Sequence, residues 1–511
     1  MMGTGAKPLG GAALRVTAIA LALGTFMQVL DSAIANVSLP TIAGNLGAST
    51  DDATWVVTAF AAANGVTVPL TGWLMGRFGV VRTFIASVTL FTVTSFLCGV
   101  ATSLPMLVFF RLLQGGVSGP MIPGSQALLI AIFPEGKRAL ALGIWSITAL
   151  VGPVLGPVLG GYISDNYYWG LIFLINVPVG LFSGFVAWRA LSSRDTPTKK
   201  LPIDTVGVIL LATWVAALQV VLDLGKNDDW FNSTTIVVLT VIAVVAFATW
   251  LIWELTDAHP AVDLSLLRNR NFSLGTGAFC LGYALFFATN LILPVWLQQQ
   301  LAYTATWAGL VSAPSGAVAV VLTPFLVRFG AKIDARWLAT LSFVAFGISY
   351  FMRAGYTTYS DFTHFMLPLL VQGVAMSVFF TAMLTISLEG VAPERVPSAT
   401  GISNFARITG ASFAASIFTT AWDRRESLHQ SRLSDVSSPF SQVFSLGTQS
   451  LREGLGDHRA AGVVAQQMVG QAYLLSSIEL FWICGWLSFA MIGLVWLASR
   501  PAAHDGPIAA D

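Results

Sequence analysis

Acid and arginine seldom stand inside long apolar runs, and this chain places one of each where a helix would bury them. Asp31 lies nine residues before Pro40 in the first such run, and Arg111 lies six residues after Pro105 in a later one. A charge at the centre of a membrane helix costs at least about 2.5–3.5 kcal/mol, so each is a candidate for function. The first run reads outward and the later one inward, and at about 1.5 Å per residue both residues come to similar depth in the outer half of a bilayer. They pair if the two helices are neighbours, either as a static ion pair or as a proton-coupling device. In the second role water access and occupancy switch the charge on the acid, and cargo and proton compete for one state of the site. One proton crossing the membrane supplies about 2.3 kcal/mol per 100 mV and about 1.4 kcal/mol per pH unit.

Weaker candidates follow. Arg407 falls mid-run and Glu479 about seven residues into the last run; counted from the outer face their depths differ by roughly 10 Å, which argues against direct pairing. Asp223 and Glu254 stand at run ends, where snorkelling or hydration is cheap. A broad-specificity cavity needs adaptable apolar surface with a few polar groups. Gln28, Asn64, Gln126, Tyr283, Phe286, Asn290, Phe379, Phe380 and Asn404 have suitable depth for one, although each serves helix packing equally well. No catalytic or metal-binding set emerges. Asp51-Asp52 and Asp228-Asp229 sit in short outer loops without a matching second motif, and Cys98, Cys280 and Cys484 lie far apart with no CxxC. An enzyme is not expected, nor a cofactor.

The elements that position these residues are membrane helices. With 55% hydrophobic and 10% charged residues and a mean hydropathy of +0.75, the 511 residues carry too much apolar surface to face water, and a hydrocarbon layer of about 30 Å takes spans of about 20 residues. A net charge of +1 argues against a nucleic-acid partner, which needs clustered Lys and Arg. Fourteen helices are predicted, at 13-38, 53-75, 81-101, 105-130, 139-162, 170-190, 205-223, 233-254, 273-297, 306-328, 335-353, 362-387, 397-421 and 473-499. An even number puts both termini on one side. Arg15, Arg77, Arg82, Lys137, Arg189, Arg194, Arg268, Arg270, Arg336 and Arg395 fall there too, so that side reads as cytoplasmic. The first span has Gln28 and Asp31 within it and no convincing cleavage site, and reads as an uncleaved helix.

Thr54-Trp55 and Arg77-Phe78-Gly79 recur as Thr306-Trp307 and Arg328-Phe329-Gly330, and Leu112-Leu113-Gln114-Gly115 recurs as Leu370-Val371-Gln372-Gly373. The chain therefore reads as an all-α membrane protein of two pseudo-symmetric six-helix bundles with two inserted helices. Residues 1-190 form the first bundle, 191-272 the charged linkers with inserted helices 7 and 8, and 273-511 the second bundle with an outer loop at 422-472. The repeat sets Leu369 opposite Arg111 and Tyr283 near the counterpart of Asp31. That asymmetry weighs against a purely structural pair.

Two glycine-rich stretches suggest moving parts. Between helices 2 and 3, Gly72 to Arg82 packs a turn at Gly79 and the cations Arg77 and Arg82 into a few residues, as a topology anchor or as a cytoplasmic latch. On helix 5, Gly152, Pro153, Gly156, Pro157, Gly160 and Gly161 leave a face without bulk and a loosened hydrogen-bond ladder. Helix 10 carries Pro314, Gly316 and Pro324, so helices 5 and 10 are expected to meet between the halves and seal an outer gate.

These motifs carry a family resemblance. Leu30-Asp31-Ser32-Ala33-Ile34-Ala35-Asn36-Val37-Ser38-Leu39-Pro40 resembles the first-helix motif of the EmrB-type, fourteen-helix drug:proton antiporters of the major facilitator superfamily. Gly72 to Arg82 resembles the superfamily's cytoplasmic loop motif, Arg111 to Gly115 its helix-4 motif, and Gly156 to Gly161 its antiporter signature. The loop motif usually has an acid where Gly76 stands, so a charge relay centred there is not expected. The resemblance, over nearly the whole chain, implies a major facilitator fold in the bacterial inner membrane. It implies export of hydrophobic or amphipathic toxic compounds, driven by the proton-motive force through alternating access, with Asp31 as the coupling acid. The alternative is export of a dedicated metabolite, a siderophore, amino acid or fatty acid, with the same coupling. The resemblance also implies a tripartite pump, in which a periplasmic membrane-fusion adaptor and an outer-membrane channel would continue the path. Residues 422-472, with Arg424, Arg425, Glu426, His429, Arg432 and Asp435, fit a docking role.

Overall fold

The computed structural model describes residues 9–134, 137–198, 202–330, 333–437 and 442–499. Regular structure among them is helical throughout. Helix 1 spans Gly11–Leu46; helix 2 has two arms, Trp55–Thr67 and Thr71–Phe78; helix 3 spans Val80–Gly99; helix 4 has two pieces, Leu104–Ser118 and Met121–Ile132; helix 5 spans Arg138–Asn166 and helix 6 Asn176–Leu191. The inserted helices 7 and 8 span Thr205–Leu224 and Thr234–Thr256. Helices 9 to 14 follow at Arg270–Gln300, Ala305–Gly330, Ala335–Arg353, Phe362–Leu388, Val396–Val436 and Asp457–Trp496. Among the described residues, eleven helices are long and apolar enough to cross a membrane, or twelve if the arms of helix 2 make one span. Helix 4 falls outside that count because it breaks at Gly119-Pro120, and helix 13 because Ser403, Asn404, Arg407 and Thr409 interrupt its apolar stretch.

Proline explains the bent span. The arms of helix 2 diverge by 59° across Val68-Pro69-Leu70, where a missing N–H and a ring clash break the ladder. Glycine explains the close packing. A β-carbon at Gly115 or Gly119 would run into the backbone of Phe60 or Thr67, so helix 4 lies directly on helix 2. Gly152 and Gly156 seat in the same way on Val29 and Ala33, and Gly160 lies against Ile34, all on helix 1 around Asp31. The bulk-free face of helix 5 thus serves its own bundle, and other sides of that helix meet helices 10 and 12. Gly161 is buried and Pro153 half-buried on the same helix; the side chain of Pro157 lies outside the described residues.

Placement of the inserted pair is a tertiary outcome. Helix 7 packs on helix 8 and against helices 2 and 13, where Leu70, Trp214, Val215, Trp250, Ala399 and Ile402 form one apolar cluster across the seam between the halves. Segment 422-472 departs from a loop. Residues 422–436 continue helix 13, Gln442–Leu455 is a separate helix, and helix 14 already begins at Asp457. The stretch from Trp422 to Val436 holds no proline or glycine to break the helical run, and charged side chains keep its exposed faces hydrated. Lys226 of the insert pairs with Asp423 at 2.7 Å, tying it to the C-terminal part of helix 13.

Candidate functional site

Asp31 and Arg111 are in contact and shut away from solvent, 1% and 0% exposed. Arg111 Nη1 lies 2.5 Å from Asp31 Oδ2. Gln114 lies one helical turn below Arg111; its Oε1 accepts from Arg111 Nη1 at 2.8 Å, and its Nε2 donates to Asp31 Oδ1 at 3.2 Å and to Ser95 Oγ at 2.7 Å. Asn176 Nδ2 of helix 6 donates to Asp31 Oδ1 at 2.8 Å. Arg111 Nε reaches the carbonyl of Val56 at 3.0 Å, and its guanidinium lies 4.2 Å from the centre of the Phe60 ring. That contact exists because Gly115 allows helix 4 onto the backbone of helix 2. A carboxylate so donated to is satisfied only while charged. Both Asp31 oxygens are thus donated to, Oδ2 by Arg111 and Oδ1 by Gln114 and Asn176.

A second cluster lies between the halves. Asn404 Nδ2 of helix 13 donates to Gln126 Oε1 of helix 4 at 2.7 Å, and Asn404 Oδ1 accepts from Arg407 Nε and Nη2, both at 3.3 Å. The Arg407 guanidinium lies 4.4 Å from the Tyr283 ring centre and 6.0 Å from that of Phe380. Phe380 in turn meets Trp145 of helix 5 edge-on at 5.7 Å. Ser146 and Thr381 are 3.3 Å apart across the same seam. These cross-bundle bonds fall toward the Lys- and Arg-rich ends of their helices, where Gly72 rests against the backbone of Ser398.

Other sequence candidates lie elsewhere. Asn64 pins helix 2 to helix 4 through Ser118 Oγ at 2.7 Å. Phe379 packs among Phe279, Phe343 and Phe346 inside the second bundle, and Phe286 lies against Tyr283 and Phe346. Gln28 is buried with its Oε1 unpartnered among the described residues. Asn290 accepts from Gln372 at 3.3 Å. Glu479 meets Arg425 at 3.2 Å and His429 at 3.1 Å on the C-terminal extension of helix 13, and not Arg407. Glu254 is not at an open interface: it is 4% exposed and accepts from Trp250 Nε1 and the Val262 amide. Asp223 is half-buried and accepts from Gln219. The linker after helix 8 folds back over the end of that helix, where its Val262 amide meets Glu254.

At the loop motif, Gly79 adopts φ +93°. Asp195 fills the space a side chain there would need and accepts from the amides of Val81 and Arg82 at 2.9 and 3.2 Å. It thereby caps helix 3, whose first amides otherwise lack partners. Arg82 itself is exposed and lies 3.6 Å from Asp195, while the Arg77 guanidinium stacks over Trp73 and Phe78. Sequence reasoning passed over Asp195, Ser95, Asn176, Trp145 and Arg353. Asn176 had a signal, a lone amide in an apolar run. Arg353 gave little, because it ends its helix and reads as interfacial.

The chain's relationships agree with this architecture. The pattern of the Major Facilitator Superfamily matches residues 21–415. The chain is 46% identical over 503 residues to multidrug export protein EmrB of Escherichia coli (strain K12), covering 98% of each. It is 42% identical over 500 residues to fatty acid resistance protein FarB of Neisseria gonorrhoeae, again covering 98% of each. Its relatives are transporters rather than enzymes, and with its apolar helices this makes it a multi-pass inner-membrane protein. Helical architecture, paired motifs and full-length similarity together place the chain in the Major Facilitator Superfamily, among the EmrB-type multidrug transporters.

Proposed function

We propose that this chain is a proton-driven antiporter that exports hydrophobic or amphipathic toxic compounds across the inner membrane by alternating access, with both termini in the cytoplasm. The observation that carries the reading is the burial of Asp31 in a network that neutralises it only while it is charged. Protonation from the outer side frees Arg111, and the strain of an unpaired cation biases the helices toward the other orientation. Gly72, Gly79, Arg77 and Arg82 act in this scheme as a cytoplasmic latch, with Gly72 against Ser398 where an acid relay is missing. Gly152, Gly156 and Gly160 let helix 1 shift on helix 5. Vesicles carrying Asp31→Asn are expected to lose dye efflux under an acid-outside jump while keeping dye binding. Undiminished uphill efflux by that variant sinks the proposal.

Cargo is assigned to the seam between the halves, where Gln126, Tyr283, Phe380, Asn404 and Arg407 supply aromatic faces and a few polar groups. A second reading of the cargo, a fatty acid or similar amphipathic acid, is favoured by Arg407. Its charge faces Tyr283 and Cys280 rather than a carboxylate, and FarB is named for fatty acid resistance. Arg407→Leu then loses acidic cargo selectively and spares neutral dyes.

The same reading makes the chain the inner-membrane part of a tripartite pump, with a periplasmic membrane-fusion adaptor and an outer-membrane channel. The continuation of helix 13 to Val436 and the early start of helix 14 at Asp457 support a docking role for 422-472. Deleting it is expected to abolish cross-linking to the adaptor; unchanged cross-linking removes that role.

A further inference from the structure

The second bundle holds a buried guanidinium without an acid. Arg353 ends helix 11 at 0% exposure. Its Nη2 donates to Gln372 Oε1, while its Nε and Nη1 have no hydrogen-bond partner among the described residues. The ionisable groups that act on it are Tyr356, Tyr350 and Cys484, none a carboxylate. Rings of Tyr350 and Phe481 lie 5.5 and 5.7 Å from its guanidinium carbon. A buried cation left so is among the costliest arrangements a fold can hold, and a counter-ion removes the penalty.

Comparison of the halves says where that counter-ion belongs. In the first bundle Gln114 bridges Arg111 to Asp31. In the second, Gln372 at the matching motif position bridges Arg353 to Asn290 of helix 9 at 3.3 Å. Asn290, and not the Tyr283 to which the repeat pointed, therefore stands on helix 9 where a carboxylate stands on helix 1, and the second network lacks one negative charge. Asn290 is only half-buried, so the network reaches accessible surface on that side.

We propose that Arg353, Gln372 and Asn290 form a binding site for an exchangeable monoanion, a halide or the carboxylate of a small organic acid, standing where the Asp31 carboxylate stands in the other half. Two guanidinium nitrogens without a partner among the described residues, Nε and Nη1, and a neighbouring amide are the donors such an ion needs. The site is distinct from Arg407 and does not depend on proton coupling at Asp31.

Thermal unfolding of the purified full chain tests it, with chloride or bromide replacing gluconate at constant ionic strength. A ligand that binds only the folded state raises the midpoint in a saturable way, and an upward shift of a few degrees is expected for the wild type. Octanoate in a parallel arm separates the sources: saturation by halide assigns an inorganic ion, and saturation by octanoate at lower concentration assigns an organic acid. Arg353→Gln is expected to lose the shift. Asn290→Asp supplies its own carboxylate and is expected to raise the anion-free midpoint and abolish the shift, which keeps the test alive if Arg353→Gln does not fold. A wild type indifferent to both anions, or a shift that persists in Asn290→Asp, overturns the site.

Discussion

Gln114 and Gln372 hold matching positions in the two halves, and the side-chain oxygen of each accepts from a fully buried arginine, Arg111 in one and Arg353 in the other. The arginines come from different helices, 4 and 11, so the likeness is one of hydrogen bonding and not of charge. Only the first amide also donates to a carboxylate. Proton traffic in the proposed mechanism is thereby confined to one half, and the other is left with a permanent cation.

Arg111→Gln strands the Asp31 carboxylate in a dry site and is expected to destabilise the protein by about 3–5 kcal/mol. The double variant Asp31→Asn with Arg111→Gln replaces the pair by neutral amides and should regain most of that loss. Denaturant unfolding in detergent measures both. Equal losses in the single and double variants would show that the pair's neighbours, not its charges, hold the helices.

Gly115→Val drives two methyl groups at the Phe60 backbone and parts helix 4 from helix 2. Overpacking of this kind costs about 1–3 kcal/mol, and efflux should fall with it because Arg111 is moved away from Asp31. Gly116→Ala is the internal control, since nothing lies within 4 Å of a β-carbon there. Comparable midpoints for the two variants contradict the packing argument.

Gln126→Ala removes a neutral hydrogen bond between the bundles, worth about 0.5–1.5 kcal/mol. Amide exchange at Thr71–Phe78 and at the start of helix 13 is expected to quicken by roughly 2- to 12-fold as that end of the seam opens more often. Exchange rates like those of the wild type would remove the bond from the closure of the seam.

Asp195→Ala strips the cap from helix 3. A lost cap costs about 1 kcal/mol, equivalent to roughly fivefold faster exchange at the Val81 and Arg82 amides. Protection that stays unchanged there means that Thr196, whose Oγ1 accepts from the Val80 amide, holds the turn without it.

Long apolar runs, the twice-written motifs and the one-sided Lys and Arg together specified an all-helical membrane fold of this superfamily, because hydropathy and helical rise report position along the membrane normal. The same arithmetic set Asp31 and Arg111 at one depth. It could not say that Asn176 and Ser95 complete their shell, that the glycines of helix 5 face helix 1, that helices 7 and 8 cover the seam beside helices 2 and 13, or that Arg353 is buried. Those outcomes depend on the direction each side chain takes around its helix and on which distant helix it meets. In lipid the outer face of a helix is as apolar as its inner face, so hydrophobic pattern does not distinguish them. Close packing at glycines and prolines hundreds of residues apart makes that choice, and only the folded chain brings them together.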